Sequence, residues 1–480
     1  MADPVPVPLG GSDADYGVSR SRQSVINMIP EADKSGSYRT VKDCPGLTDF
    51  ADLDDSPGRS DLFVNSGFMY CVAGASLFRV DKFGTVTNLG TVGGSGRAKI
   101  FSNSVPGDNQ IMILNGAGTG FVYTNGAGLV QVTDGDFFAS VSGDVLNEIG
   151  WFVRRGTNEI FGSDVSDLTS YPPARFTSAE EHPDDTVALV AKKSALWILG
   201  GESVEYWQTS TASVDVPIRA VRGASKERGI AAVDSLAEAG EMFAWFADDN
   251  TVRMIEGQQM VKISDLDFEL KVRGDGTPEF PGFSVTDDAI GFFVDGPAHK
   301  IYYLTFPTQK FTWGYDFTTG LEHGRASGDQ GQEFWRVVAA SLFNNKLYGL
   351  DGTAGKIYEL DQGAKTESGE IMRRVLVTPS MRNPYNWTLP AIELEMEVGQ
   401  VTDPAADPKM RVEYTKDGGY TWTTWGDVSL GKFGGQDARV VMRHFGKIIR
   451  HKDFMLRFTI TDDVRVQMYQ LWATIEQDEV

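Results

Sequence analysis

The chain has 480 residues, with 44 Lys and Arg against 66 Asp and Glu and a net charge of −22. So acidic a surface repels nucleic-acid phosphates and argues against a protein that reads DNA or RNA by sequence. No apolar run reaches the roughly 18 residues that a bilayer requires, and the N-terminus has no basic-then-apolar leader, so the sequence predicts an unprocessed soluble protein made in a cytoplasm, without membrane insertion.

Residues 1–20 are rich in Pro, Gly and Asp without apolar periodicity and read as an extended arm. Val25-Ile26-Asn27-Met28 and the stretch 39–48, RTVKDCPGLT, follow. Pro45-Gly46 demands a turn, and the flanking apolar residues predict a segment packed on the body. Residues 1–59 therefore form an N-terminal arm and packing segment.

Residues 60–365 carry a repeat, clearest at 186–209, TVALVAKKSALWILGGESVEYWQT. Val187, Leu189 and Ala191 alternate up to a Lys192-Lys193-Ser194 turn, and an apolar run from Ala195 to Leu199 ends at Gly200-Gly201. In the third strand Val204 and Tyr206 share one face and Glu205 and Trp207 the other. Similar meanders recur at roughly 40-residue intervals, the spacing of propeller blades. They lie at 68–87, 111–132, 149–161 (a weak copy), 242–255, 289–304 and 337–360. The fold expected is all-β, a β-propeller of about six to seven blades. Breaks fall at 167–185, read as an exposed loop, and at 264–281. The clearest helical candidate, 233–239, is short, and a strand with its turn is the other reading. Lys226-Glu227-Arg228 and Glu322-His323-Gly324-Arg325 are assigned to loops as solvated charge.

After residue 365 the pattern changes. Ile392 to Val398 alternates with Glu393, Glu395 and Glu397 on one wet face, and further strands follow at 411–414, 454–460 and 464–473. Residues 366–480 read as an additional antiparallel β domain resembling a sandwich. Within it Thr415-Lys416-Asp417-Gly418-Gly419-Tyr420-Thr421-Trp422 matches the Asp-box of sialidase hairpins, a structural motif. Asp417 accepts backbone N–H groups, Gly419 supplies a positive φ, and Trp422 covers the turn.

Catalytic constellations are not apparent. Cys44 and Cys71 have no paired spacing, and His182, His299, His323, His444 and His451 are scattered. The acid pairs Asp52/Asp54, Asp134/Asp136 and Asp265/Asp267 have no calcium-loop register, and the glycine runs at 93–97 and 116–120 lack phosphate-loop endings. No enzymatic activity, catalytic residue, metal or cofactor is assigned. One basic cluster stands out: Arg443, His444, Lys447, Arg450, His451 and Lys452. It is a candidate partner-docking surface or a protected strand edge, with DNA contact as the third reading.

Several stretches carry a family likeness in order. These are Val25-Ile26-Asn27-Met28, Cys44-Pro45-Gly46-Leu47-Thr48, GGESVEYW at 200–207, Lys226-Glu227-Arg228-Gly229-Ile230-Ala231, and Phe445-Gly446-Lys447-Ile448-Ile449-Arg450 before Phe454-Met455-Leu456-Arg457. Through them the chain resembles the packaged-DNA-stabilisation proteins, the tail-hub or tail-nozzle proteins of short-tailed bacteriophages. The resemblance implies a virion protein of the short tail that forms a homohexamer below the portal-adaptor ring and extends its channel. It also implies retention of packaged DNA, which is a partner only in transit, and docking of a tail needle and tailspikes or fibres. The alternative is a carbohydrate-binding or sialidase-like propeller in a receptor-binding tail component.

Overall fold

The paired glycines at 200–201 turn the chain between Ala195–Gly200 and Ser203–Thr209, and the same device, alternating strands closed by tight turns, builds the whole ring. In this computed structural model the described residues are 4–477 apart from 8, 10–23, 33–38, 55, 107–108, 277–280, 402, 404 and 436–438. Most of the arm expected at 1–20 lies outside them.

Among the described residues seven four-stranded antiparallel meanders follow one another, at 63–91, 99–131, 143–178, 186–220, 237–262, 290–327 and 337–361. The seventh borrows its outer strand. Gly46–Asp52 pairs antiparallel with Lys356–Asp361, so a segment read as N-terminal packing closes the ring. Each neighbouring pair of blades shares an apolar cluster. Cys71 and Phe78 meet Tyr348 and Leu350 between blades seven and one, and Trp197 and Leu199 meet Phe243 and Trp245 between blades four and five. Burying each such side chain contributes about 1.5–3 kcal/mol, which makes the blade interfaces the main source of stability.

The second domain is a β-sandwich. One sheet contains Trp387–Met396, Val440–Arg443 and Gln467–Gln477, and the other contains Arg374–Val377, Lys409–Thr415, Thr423–Ser429 and Met455–Ile460. Its core includes Leu389, Leu394, Met410, Phe458 and Leu471, together with Val7, Val25 and Val41 from the chain's beginning. Pro4–Val7 and Arg39–Asp43 pair with Gln467–Gln477, so the early residues belong to the last domain.

Ser24–Ile26 joins the two domains. It pairs parallel with Leu321–Ser327 of blade six and antiparallel with Arg374–Val377 of the sandwich, making one continuous sheet. Asn27 follows at φ 56°, fully buried. Its amide donates to the carbonyls of Ala326 (2.8 Å) and Arg373 (2.9 Å), and its Oδ1 accepts from the Ala326 N–H (3.1 Å).

Two local expectations are corrected, and a third is resolved. Glu322-His323-Gly324-Arg325 is not a solvated loop but part of the strand Leu321–Ser327, where Glu322, His323 and Arg325 are buried because the domain junction covers it. Of the two readings of 233–239, the strand with its turn holds: one 3₁₀ turn, Val233–Ser235, is followed by the strand Ala237–Ala239. The break at 264–281 contains an α-helix, Leu266–Arg273. Asp265 caps it by accepting from the Phe268 N–H, Gly274 ends it at φ 76°, and Phe268 packs at a tilt against Trp313 with ring centroids 4.8 Å apart.

Candidate functional site

The basic cluster occupies the edge of the sandwich sheet. Val440–Arg443 and Lys447–Ile448 both pair with Trp387–Met396 and mark one end of that sheet. Phe445, Ile448 and Phe454 are buried anchors, and left-handed turns at His444 (φ 68°), Gly446 (φ 72°) and His451 (φ 61°) direct the chain back and forth between them. Arg443, His444, Lys447, Arg450, His451 and Lys452 are all exposed. The backbone beneath them is pinned. The His444 N–H donates to the Pro390 carbonyl (3.2 Å), the Arg450 N–H to Asn386 Oδ1 (2.9 Å), and the His451 N–H to the Asn383 carbonyl (2.9 Å). Ile449, 61% exposed, and Tyr385, 51% exposed, lie on the segments joined by those bonds. The result is a rigid cationic edge with apolar contacts, suited to an acidic protein face.

The Asp417 turn consumes its own polar groups. Asp417 Oδ1 accepts from the Thr415 hydroxyl (2.6 Å) and the Thr421 N–H (3.0 Å), and Oδ2 accepts from the Thr421 hydroxyl (2.5 Å). Gly418 and Gly419 take φ 77° and 97°. Despite the penalty of partial burial, these hydrogen bonds hold the Asp417 carboxyl down to about 2. Arg457 lies over the Trp422 ring at 4.4 Å.

A charge network crosses the propeller axis. Lys99 in the first strand of blade two reaches Glu238 in the first strand of blade five (3.2 Å) and Asp61 before blade one (3.7 Å). Lys192 holds the other Glu238 oxygen (2.9 Å), and Arg97 holds Asp61 (2.8 Å). Burial opposes the Lys99 charge, but Glu238, Asp61 and Asp144 outweigh it and raise its pKa. Burial and the nearby Glu238 push the Asp144 carboxyl up. Cations and anions balance here, and their contacts span the centre of the ring.

Two pairs of the resemblance-bearing stretches meet in space, 200–207 with 226–231 and 25–28 with 44–48. The Arg228 N–H donates to the Glu202 carbonyl (2.8 Å) and the Ile230 N–H to the Gly200 carbonyl (2.9 Å), and Gly229 lies so close to Gly200–Glu202 that a side chain would collide. Asp184, in the acidic run of the first break, caps the same hairpin through the Glu202 N–H (2.8 Å) and Ser203 N–H (3.0 Å). Cys44 N–H donates to the Asn27 carbonyl (3.1 Å). Sequence reading placed His323 and Arg325 in solvent; both are in the buried junction, where Tyr303 Oη bonds His323 Nε2 (2.9 Å) and burial depresses the imidazole pKa to about 3. The period of two through Leu321–Ser327 was the available signal.

Among the described residues no group of three His, Cys, Asp or Glu could hold a metal, and no helix is long and apolar enough to cross a membrane. Fold and family match together define a β-propeller and β-sandwich protein of the class of phage tail structural proteins. The chain belongs to the bacteriophage P22 Gp10 family: residues 5–365 match the model described as "Bacteriophage P22 Gp10, beta-propeller" and residues 373–476 the one described as "Bacteriophage P22 Gp10, beta-sandwich". It is thus a structural component of a phage virion. No curated protein matches it. Among solved structures it is similar to a streptogramin B lyase, with TM-score 0.43 and 11% identity, covering 65% of this chain and 96% of that one. A second similarity is to the Pan2 WD40 domain of Neurospora crassa, with TM-score 0.39 and 7% identity, covering 66% and 96%. A third is to PorZ of Porphyromonas gingivalis, with TM-score 0.39 and 10% identity, covering 80% and 46%.

Proposed function

We propose that the chain is the subunit of a tail nozzle or hub. Six copies close into a ring below the portal-adaptor complex, extend its channel, retain the packaged DNA, and pass it during ejection. The observation that carries this reading is the match of both domains, in order and over nearly the whole chain, to the Gp10 family. The division proposed is 1–59, a propeller at 60–365 and a C-terminal domain at 366–480, with the first segment lending Pro4–Val7 and Arg39–Asp43 to the sandwich and Gly46–Asp52 to the seventh blade. The salt bridge from Lys99 to Glu238 across the axis supports a DNA path between copies, not through one propeller. With a net charge of −22, acidic loops lining that shared lumen would repel DNA phosphates and keep the conduit slippery. The cationic edge at 443–452 serves docking, on an acidic face of the adaptor or of the next copy. The tail needle and the tailspikes or fibres are the remaining partners, and the chain performs no catalysis.

The test adds purified protein to DNA-filled heads that carry portal and adaptor but lack this chain. DNA retention and a sixfold ring in electron micrographs are expected. Leakage with no ring would overturn the reading, and glycan binding in its place would favour the carbohydrate-binding alternative. Charge reversal at the edge, Lys447→Glu with Arg450→Glu, should weaken ring assembly at least tenfold at low salt and flatten or reverse its loss with salt, because the attraction that salt screens has become repulsion; unchanged assembly would remove the edge from the interface.

A further inference from the structure

On one sheet of the sandwich, Trp387–Met396 and Pro4–Val7 flank Gln467–Gln477, and the outer face of these strands carries an open groove of about 420 Å³. That volume lies at the lower end of the range for small-molecule sites. Ile392, Leu394 and Met396 belong to the core, so alternation puts Glu393 and Glu395 on the opposite, wet face. Trp472 pairs directly with Glu393 and stands between the buried Leu471 and Ala473, so it shares that face. Half-buried, it lines the groove together with Pro4, Glu393, Glu395 and Arg439. Arg439 donates to the Glu393 carboxylate from Nε (2.8 Å) and from Nη2 (2.6 and 2.7 Å), which fixes both planar groups. Its side chain is nevertheless 71% exposed, and among the described residues neither Arg439 Nη1 nor the exposed Glu395 carboxylate has a hydrogen-bond partner.

We propose that this groove binds a neutral oligosaccharide, with one pyranose ring laid on the Trp472 indole and its hydroxyls shared between Arg439 Nη1 and the Glu393 and Glu395 carboxylates. The free groups select the ligand class. A sugar hydroxyl both donates and accepts, and the groove offers donors on Arg439 beside acceptors on Glu395. A basic side chain would bring donors alone and meet the Arg439 charge, while an anion would bring acceptors alone and meet two carboxylates against one guanidinium. The C–H face of a pyranose ring is flat and apolar and matches a large, rigid indole. Glu393, Glu395 and Trp472 stand on strands and Arg439 immediately precedes one, so the site is in place before the ligand arrives. The inference stands apart from the nozzle reading: sugar binding is measured on the free chain and DNA retention on the assembled ring, and either can fail alone.

The experiment titrates the full chain by isothermal calorimetry. The neutral probes are maltohexaose, cellohexaose, chitohexaose and mannohexaose; sialyllactose is the anionic probe and the capped tripeptide acetyl-Lys-Lys-Lys-amide the cationic one. Saturable binding to at least one neutral probe is expected, with a dissociation constant below about 1 mM and at least tenfold tighter than for either charged probe. Trp472→Ala should weaken that binding at least tenfold. Should the alanine variant fail to fold, Glu395→Arg, at an exposed position, should do the same. No saturable binding to any neutral probe, preference for sialyllactose or the lysine peptide, or unchanged binding in either folded variant would each overturn the proposal.

Discussion

Replacing Asn27 by alanine tests whether one side chain locks the propeller to the sandwich. Three hydrogen bonds disappear, leaving the Ala326 carbonyl, the Ala326 N–H and the Arg373 carbonyl without these partners in a fully buried site. At about 1–3 kcal/mol for each such group, with partial relaxation, the loss is about 4 kcal/mol. The backbone adds to it. At φ 56° alanine pays a left-handed penalty of about 1 kcal/mol that asparagine tolerates and glycine avoids. Asn27→Ala should therefore destabilise by about 5 kcal/mol and Asn27→Gly by about 1 kcal/mol less. Urea denaturation followed by tryptophan fluorescence gives both values. Hydrogen exchange should show faster opening of Leu321–Ser327 and Arg374–Val377 in both variants, since these strands flank Ser24–Ile26. The reasoning fails if Asn27→Ala stays within about 1 kcal/mol of the parent, or if the glycine variant is the less stable of the two.

Three further outcomes follow from local chemistry. Asp417 has its pKa depressed to about 2, so its stabilisation is present above the unfolded carboxylate value and lost as pH falls through about 2. Asp417→Asn should cost about 1 kcal/mol at pH 7 after allowance for solvent screening, with the difference from the parent shrinking in acid unfolding series below pH 4. Asp234 behaves in the opposite sense: burial, with Asp61 adding and Arg97 opposing, pushes its carboxyl up to about 6. Its contribution is therefore full below the unfolded value and lost as pH rises through about 6, so Asp234→Asn should gain up to about 2 kcal/mol at pH 8 and nothing at pH 4 by thermal unfolding. Gly291→Ala would drive a methyl into the Ser235 carbonyl and within 2.6 Å of the Tyr302 hydroxyl, at the seam of blades five and six. A loss of about 3 kcal/mol is expected, and a wild-type melting curve would contradict the packing described.

The repeat was legible because its signals are local. Alternation in Thr186–Lys192 and in Ser203–Thr209 decides which side chains face the neighbouring blades, and Gly200-Gly201 decides where the chain reverses. The helix Leu266–Arg273 escaped because eight residues give little periodicity, and only Asp265 and Gly274 at its ends marked it. The buried residues Glu322, His323 and Arg325 escaped for a different reason. Glu322, His323 and Arg325 have the composition of a wet loop, and what dries them is the Ser24–Ile26 strand and the sandwich, about 300 residues earlier and 50 later in the chain.

By itself, then, the sequence determined the strand period, the turns and the Asp417 hairpin, because these depend on neighbours within a few residues. Only the tertiary structure decided that Pro4–Val7 and Arg39–Asp43 complete the last domain, that Gly46–Asp52 closes the seventh blade, and that Arg325 is buried at the junction of the two domains. Those outcomes are set by which distant apolar faces and strand edges satisfy one another, and no local window contains both partners.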